Sequence, residues 1–215
     1  MSAPKLTYFE GRGRGETVRL MLVAAGVEWE NGEFLREAEQ MDKLKADGLL
    51  LFGQVPLLQW DGKNMVQTMA IVRYIAHKYN LAGKDYEEAF RTDMLAEGAR
   101  DFLLPFLPFK FLPDEAFQAG INKAMDRYLP IFEKELSGKT FLVSDSVTLA
   151  DVCLFEVLLL IEEFQPKRFD AHPNIKKFFE TMKSDQKFAA YLSSPKRFPP
   201  NSEKYVKEVK TALRW

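Results

Sequence analysis

Residues 56–79 read PLLQWDGKNMVQTMAIVRYIAHKY, and the fold class turns on them. Pro56 to Trp60 and Asn64 to Val66 are β-forming runs on either side of Asp61-Gly62. That pair is the two-residue signal for a type I′ hairpin, whose central positions both need positive φ. From Thr68 to Tyr79 apolar residues recur at helical spacing, which predicts Ala70, Ile71, Ile75 and Tyr79 on a buried side. An antiparallel hairpin running directly into a helix therefore closes the first structural unit.

Toward the N-terminus, Lys5 to Phe9 is a short strand-like run. After a glycine-punctuated loop, Glu16 to Ala25 is a helical pattern that stops at Gly26. Glu28 to Phe34 is a weaker strand, broken by Asn31 and Gly32, and Glu37 to Ala46 is a short helix closed by Asp47 and Gly48. The order is βαβαββα. Parallel strands need helical crossovers and the Asp-Gly turn makes an antiparallel neighbour, so a mixed four-stranded sheet with packed helices is expected.

Toward the C-terminus, residues 80–88 (NLAGKDYEE) are polar and contain glycine, and they read as a linker. Beyond them no further strand is expected. Helices are predicted over Glu87–Leu104, Glu115–Leu136, Leu149–Glu163, Ile175–Ser184, Phe188–Leu192 and Glu203–Ala212, with a proline-rich interruption from Pro105 to Pro113. The chain is thus an α/β domain over 1–82 followed by an all-α domain over 83–215.

With 215 residues, 47% of them apolar, the chain can build a large core or two modest ones. A net charge of −1 excludes the overall basic field that drives binding to nucleic acid or anionic lipid. The N-terminus carries no apolar run of signal-peptide length. Leu154 to Ile161, the most apolar segment, is short and interrupted by Glu156, so a cytoplasmic protein without membrane attachment is expected. The lone Cys153 allows no internal disulfide, and one Cys with two His makes no zinc cluster, so no metal site is expected.

Three segments could carry chemistry. The first, Tyr8 to Glu16 (YFEGRGRGE), spaces its glycines two apart. That spacing fits neither the dinucleotide fingerprint nor the phosphate loop, and a flexible surface loop stays open as its alternative. The second is Phe52-Gly53-Gln54-Val55-Pro56. A cis bond before Pro56 would turn the Val55 N–H and C=O outward, toward an extended peptide-like ligand. The third is Gln67-Thr68, where Thr68 is a credible N-cap and the helix N-terminus also favours a ligand carboxylate.

Tyr8 in YFEGRGR, Gln54-Val55-Pro56, Gln67-Thr68-x-Ala70-Ile71 and Thr148-Leu149-Ala150-Asp151 together resemble the cytosolic glutathione transferases, in the same order and at comparable spacing. The resemblance covers essentially the whole chain. It is nearest the alpha class, because an amphipathic tail ending Ala212-Leu213-Arg214-Trp215 continues past Pro199-Pro200. It implies a thioredoxin-like N-terminal domain, a helical C-terminal domain, and transfer of glutathione sulfur to hydrophobic electrophiles, organic hydroperoxides among them. Glutathione is then a cosubstrate and no cofactor is implied. A non-catalytic carrier or crystallin-like relative and a sigma-like prostaglandin isomerase are the alternative readings.

Carried over residue by residue, the resemblance implies that Tyr8 donates its hydroxyl to the glutathione sulfur and that Arg14 adds a nearby cation. Lys45, Gln54, Val55, Pro56, Gln67 and Thr68 would contact the tripeptide. Asp101 and Arg127 would complete the neighbouring subunit's site. Lys45 stands where an arginine is common, and an ammonium cannot make the planar two-pronged grip on a carboxylate. The hydrophobic substrate would lie among Phe9, Gly11, Pro105, Phe106, Leu107, Pro108 and Phe111, closed over by Val209, Leu213 and Trp215. Phe52 would be the aromatic key of a homodimer, although Met69 replaces a charged residue frequent at that interface. Thr148 with Asp151 reads as a capping box, and Cys153 as an inert buried thiol.

Overall fold

The computed structural model describes residues 3–215. Its sheet has four strands in the order β2-β1-β3-β4: β1 (Lys5–Thr7), β2 (Glu30–Asn31), β3 (Leu57–Trp60) and β4 (Lys63–Val66). β1 runs parallel to β2 and antiparallel to β3, and β3 and β4 form the hairpin. Asp61 and Gly62 both take positive φ, at 49° and 73°, as a type I′ turn requires. β2 is shorter than the predicted Glu28–Phe34. At the sheet edge only Glu30 and Asn31 pair with β1, both of them exposed.

Helix α1 (Gly13–Ala24) begins three residues before the predicted Glu16, inside the glycine-rich segment itself. Helix α2 (Ala38–Ala46) is opened by a capping box between Glu37 and Gln40, which satisfies two N-terminal backbone donors. In α3 (Thr68–Lys78) the buried face is Met69, Ile71, Val72, Ile75 and Ala76. Ala70 is exposed and Tyr79 only partly covered, so the predicted stripe was rotated by part of a turn. Its polar side carries Arg73, which pairs with Asp93 (2.9 Å) and Glu97 on the next helix.

Six helices follow: α4 (Tyr86–Leu103), α5 (Asp114–Glu135), α6 (Leu149–Phe164), α7 (Pro173–Ser184), α8 (Gln186–Leu192) and α9 (Glu203–Leu213). Asp85 caps α4 by accepting from the Glu88 N–H at 2.9 Å. The segment before it is anchored, because the Leu149 N–H donates to the Leu81 carbonyl at 2.8 Å. The start of α6 is the expected box: Asp151 accepts from the Thr148 N–H and hydroxyl and from the Leu142 N–H, at 2.6–2.8 Å. Cys153 is buried and free, and burial pushes its thiol pKa up, which keeps it unreactive. No helix is long and apolar enough to cross a membrane among the described residues.

α6 forms the floor on which α1 and α4 pack. The α1–α6 contact encloses several charges: Glu16 pairs with Arg19 (3.2 Å) and Arg197 (3.0 Å) and accepts from the Tyr191 hydroxyl, while Arg12 pairs with Glu163 at 2.7 Å. Glu156 sits among them, with its Oε2 lacking any protein hydrogen-bond partner. Burial pushes its pKa up to about 8, aided by the Glu16 carboxylate and opposed by the Thr17 hydrogen bond, Arg197 and Arg19. An unfolded glutamate titrates near ~4.3, so between there and about 8 the folded chain holds a proton that the unfolded chain has lost. Stability therefore falls as pH rises through that window. Glu156→Gln should gain on the wild type from about pH 5 to about 8 and hold a level advantage above it. Urea unfolding across that range checks this, and a pH-independent difference would refute it.

Candidate active site

Strand register assembles the site. Thr7 pairs with Leu57 and Leu57 with Val66, so the chain leaves β1, enters β3 and leaves β4 at one end of the sheet. Tyr8, Pro56 and Gln67 are the next residues out, and the Val55–Pro56 bond there is cis. Tyr8 is only 7% exposed, and its Oη accepts the Arg14 backbone N–H at 2.9 Å. Burial raises the Tyr8 pKa above that of a free phenol, against lowering by that hydrogen bond, by Arg19, by the Tyr205 hydroxyl and by Arg14. At neutral pH the group is a protonated phenol, a hydrogen-bond donor rather than a base.

The glycine spacing that fitted no nucleotide motif now has a physical cause. A Cβ on Gly11 would stand 2.4 Å from the Tyr205 ring, one on Gly13 2.6 Å from the Tyr8 oxygen and 2.8 Å from that of Tyr205, and one on Gly15 2.7 Å from the Tyr8 ring. Three glycines two apart thus lay bare backbone against two phenols, and the segment is tightly packed rather than a free surface loop. Tyr205, on the first turn of α9, was missed by the motif reading. Its signal was the helical spacing of Tyr205, Val206, Val209 and Ala212, which are all buried.

Two arginines bear on Tyr8, Arg14 and Arg19. Arg14 meets Tyr8 through its backbone, while its exposed side chain lines a small cavity of about 30 Å3 with Thr68, Arg100 and Glu156. The buried cation is Arg19. Its Nη1 donates to the Gly11 carbonyl at 2.9 Å, its guanidinium lies 4.6 Å from the Phe198 ring centroid, and its charge bears on Tyr8 more than that of Arg14. A single charge inside the apolar run of α1 was the signal available.

Gln54 and Gln67 are joined by a 3.2 Å hydrogen bond between their side chains. Gln67, at φ 69°, holds the N-cap position without capping through its side chain, so Thr68 is the first helical residue and not the cap. The Thr68 hydroxyl is buried with no protein partner, beside a helix N-terminus that no side chain caps. Lys45, in the last turn of α2, is exposed near Gly53, with Asp42 3.9 Å away. Asp101 on α4 and Arg127 on α5 are both exposed, and the Arg127 guanidinium lies 5.0 Å from the Tyr128 ring centroid.

The expected apolar pocket is divided. Phe9, Phe111, Val209 and Leu213 cluster with Tyr8 and Tyr205, and Gly11 lies beneath the Tyr205 ring. Phe106 and Leu107 face the other core, where Phe106 packs on Phe102 and Phe164. Pro105 and Pro108 shape the turn between α4 and α5, Pro105 within a 3-10 turn over Leu104–Phe106. Trp215 lies outside the cluster, 77% exposed. Arg214 adopts a left-handed φ of 54° and turns the chain back, so the Trp215 N–H bonds the Lys210 carbonyl and its side chain joins the outer groove of α9.

Residues 4–77 match the sequence family described as Glutathione S-transferase, N-terminal domain, and residues 102–185 match Glutathione S-transferase, C-terminal domain. The chain is 41% identical to glutathione S-transferase alpha-4 of Rattus norvegicus over 219 aligned positions, covering 99% of this chain and 98% of that one. It is likewise 41% identical to glutathione S-transferase A4 of Homo sapiens, with 98% of each covered. Among solved structures, the glutathione S-transferase of Ascaris lumbricoides superposes with a TM-score of 0.78 at 30% identity, over 94% of this chain and 99% of that one.

The packing of Gly13 makes a testable difference. Gly13 and Gly48 both have positive φ, but a Cβ on Gly48 would meet nothing within 4 Å. Gly48→Ala should cost about 1 kcal/mol of backbone strain, and Gly13→Ala roughly 2–3 kcal/mol because it also crowds the two hydroxyls. Equal losses in urea unfolding would contradict this packing.

Proposed function

This chain belongs to the glutathione S-transferase family, and we propose that Tyr8 is the group through which it handles the glutathione sulfur. It is a transferase of the alpha-class kind, conjugating glutathione to hydrophobic electrophiles. A free thiol with a pKa of about 8.5 is only a few per cent thiolate at neutral pH. A buried phenol donating a charge-assisted hydrogen bond stabilises the anion by about 1.5–3 kcal/mol, or roughly 1–2 pKa units. The sulfur proton leaves to solvent, and the S–C bond forms as a leaving group departs or an activated double bond opens. Organic hydroperoxides are a second class of electrophile in this reading.

The observation that carries the proposal is the gathering of a protonated Tyr8, the Val55–Pro56 corner and the uncapped Gln67–Thr68 helix start at one sheet end. The Val55 backbone would hold the tripeptide as an added strand. The α3 N-terminus with the free Thr68 hydroxyl suits its γ-glutamyl carboxylate, and Lys45 suits the glycyl carboxylate. Phe9, Phe111, Val209 and Leu213 would line the electrophile's pocket, while Arg14 acts from the rim with its side chain and on Tyr8 through its backbone.

A homodimer is part of the same proposal, with Asp101 and Arg127 reaching the neighbouring site. Leu51 and Phe52 are 79% and 62% exposed, and Phe90 and Met94, one turn apart on α4, and Ile131 on α5 are exposed as well, apolar surface that a partner's key would cover. We divide the chain at 82/83, before α4. A cytoplasmic location accords with a single, free, buried thiol.

Two measurements test the proposal. Tyr8→Phe should raise the pKa of bound glutathione by roughly 1–2 units and slow conjugation of a chromogenic aryl halide about 10- to 100-fold below that pKa, with little change in KM for glutathione. An unchanged thiolate midpoint in ultraviolet titration would remove Tyr8 from its role. Phe52→Ala should sediment as a monomer at concentrations where the wild type is a dimer. A wild type that is itself monomeric would end the dimer reading.

A further inference from the structure

Thr68 and Glu156 come from different halves of the chain, the first turn of α3 and the middle of α6, yet both line the cavity of about 30 Å3 at the α3 N-terminus. Each brings a buried oxygen without a protein hydrogen-bond partner, the Thr68 hydroxyl and the Glu156 Oε2, and Glu156 is only 4% exposed. Buried polar oxygens of this kind are normally satisfied by water, and a water needs roughly 10–15 Å3 and at least two polar partners. The cavity has the room for about two, and these two oxygens are partners for them. The charges that face Glu156 are Arg12, Arg14, Glu16 and Arg19 at the start of α1, Arg100 on α4, Glu163 two turns further along α6 and Arg197 after α8, with the Cys153 thiol beside it. Burial outweighs the cations, so the acid keeps its proton up to about 8.

A neutral carboxyl donates one hydrogen bond, and an ionised one only accepts. We propose that Glu156 is a positioning residue for glutathione: its O–H donates through water in this cavity to the Thr68 oxygen, which leaves the Thr68 hydroxyl hydrogen free to point at the ligand's γ-glutamyl carboxylate. When Glu156 ionises, the donors reverse. Thr68 then gives its hydrogen inward to the water, and the carboxylate loses that bond. The grip on the tripeptide thus weakens at alkaline pH, where a thiolate would form most readily. This inference rests on the Thr68 contact of the proposed function and is independent of Tyr8.

The test is calorimetric titration with S-methylglutathione, which has no thiol to ionise, across the range from about pH 6 to about 9.5. Wild type, Glu156→Gln, Thr68→Val and the double variant are compared, so that ionisation of the ligand itself is common to all four. Glutamine keeps a donor at every pH. The Kd ratio of wild type to Glu156→Gln should therefore stay level below about pH 7 and rise about 3- to 10-fold above pH 8. Near pH 8 wild-type binding should take up part of a proton that Glu156→Gln does not, measured in buffers of different ionisation enthalpy. In the Thr68→Val background the ratio should stay level throughout, because the effect passes through that hydroxyl. Parallel pH profiles for wild type and Glu156→Gln would overturn the inference alone. So would a rise that persists with Thr68→Val, which would mark a general charge effect of the carboxylate. Wild-type affinity in Thr68→Val would bring down the Thr68 contact and this inference with it, leaving Tyr8 untouched.

Discussion

β3 is bonded along both edges, antiparallel to β1 on one side and to β4 on the other, and the site depends on that double pairing. A one-residue slip in either ladder would turn every side chain to the opposite face. Leu57 faces Thr7 and Val66 together, so residues far apart in sequence leave the sheet at one level. The buried Leu57 and Leu58 occupy the two sides of this central strand and hold the register through packing on both faces of the sheet. Tyr8 has a fixed place because its neighbours in the ladder do.

From that sheet end, α1 transmits position to the helical half of the chain. Its first turn gives Tyr8 the Arg14 N–H, and its buried side places Glu16, Thr17 and Arg19 against α6 and the segment after α8. Ion pairs this enclosed contribute little net stability, since desolvation offsets most of the Coulomb gain, but removing one partner strands the other. Their contribution is orientational. Arg19, bonded to both the Gly11 carbonyl and Glu16, ties the glycine segment to the charge cluster, and Arg12 extends the tie through the Phe198 carbonyl and Glu163. The backbone beside the two phenols is thereby fixed from below.

Features specified by neighbours in sequence were legible from it. The Asp61-Gly62 turn, the Thr148–Asp151 box and the order of helices are local, and each appears where its residues predicted it. Features set by contacts across the chain were not. The start of α1 moved into the glycines because two phenols, one of them from α9, need bare backbone there. Phe106 and Trp215 were carried into the pocket by the family resemblance, as apolar residues near it in sequence, yet a 3-10 turn directs one to the other core and a left-handed Arg214 directs the other outward. Apolarity says that a side chain seeks cover without saying which of two cores will supply it.

The way α9 is attached follows from the same distinction. Its polar ties are Arg36 with Glu208 at 3.4 Å, Lys204 with Glu10 at 3.9 Å and Arg214 with Asp42 at 2.5 Å, all at the surface. Exposed pairs of this kind contribute between nothing and about 1 kcal/mol each, and salt screens them. The hold therefore comes from one apolar face, Tyr205, Val206, Val209 and Ala212, laid over Tyr8, Phe9 and the α2 side of the sheet. α1, α4 and α6 share a continuous core, so opening any of them exposes far more apolar surface than lifting a single eleven-residue helix. Of the elements that cover the site, α9 is thus the one whose displacement costs least, and it is the one that carries a hydroxyl to Tyr8.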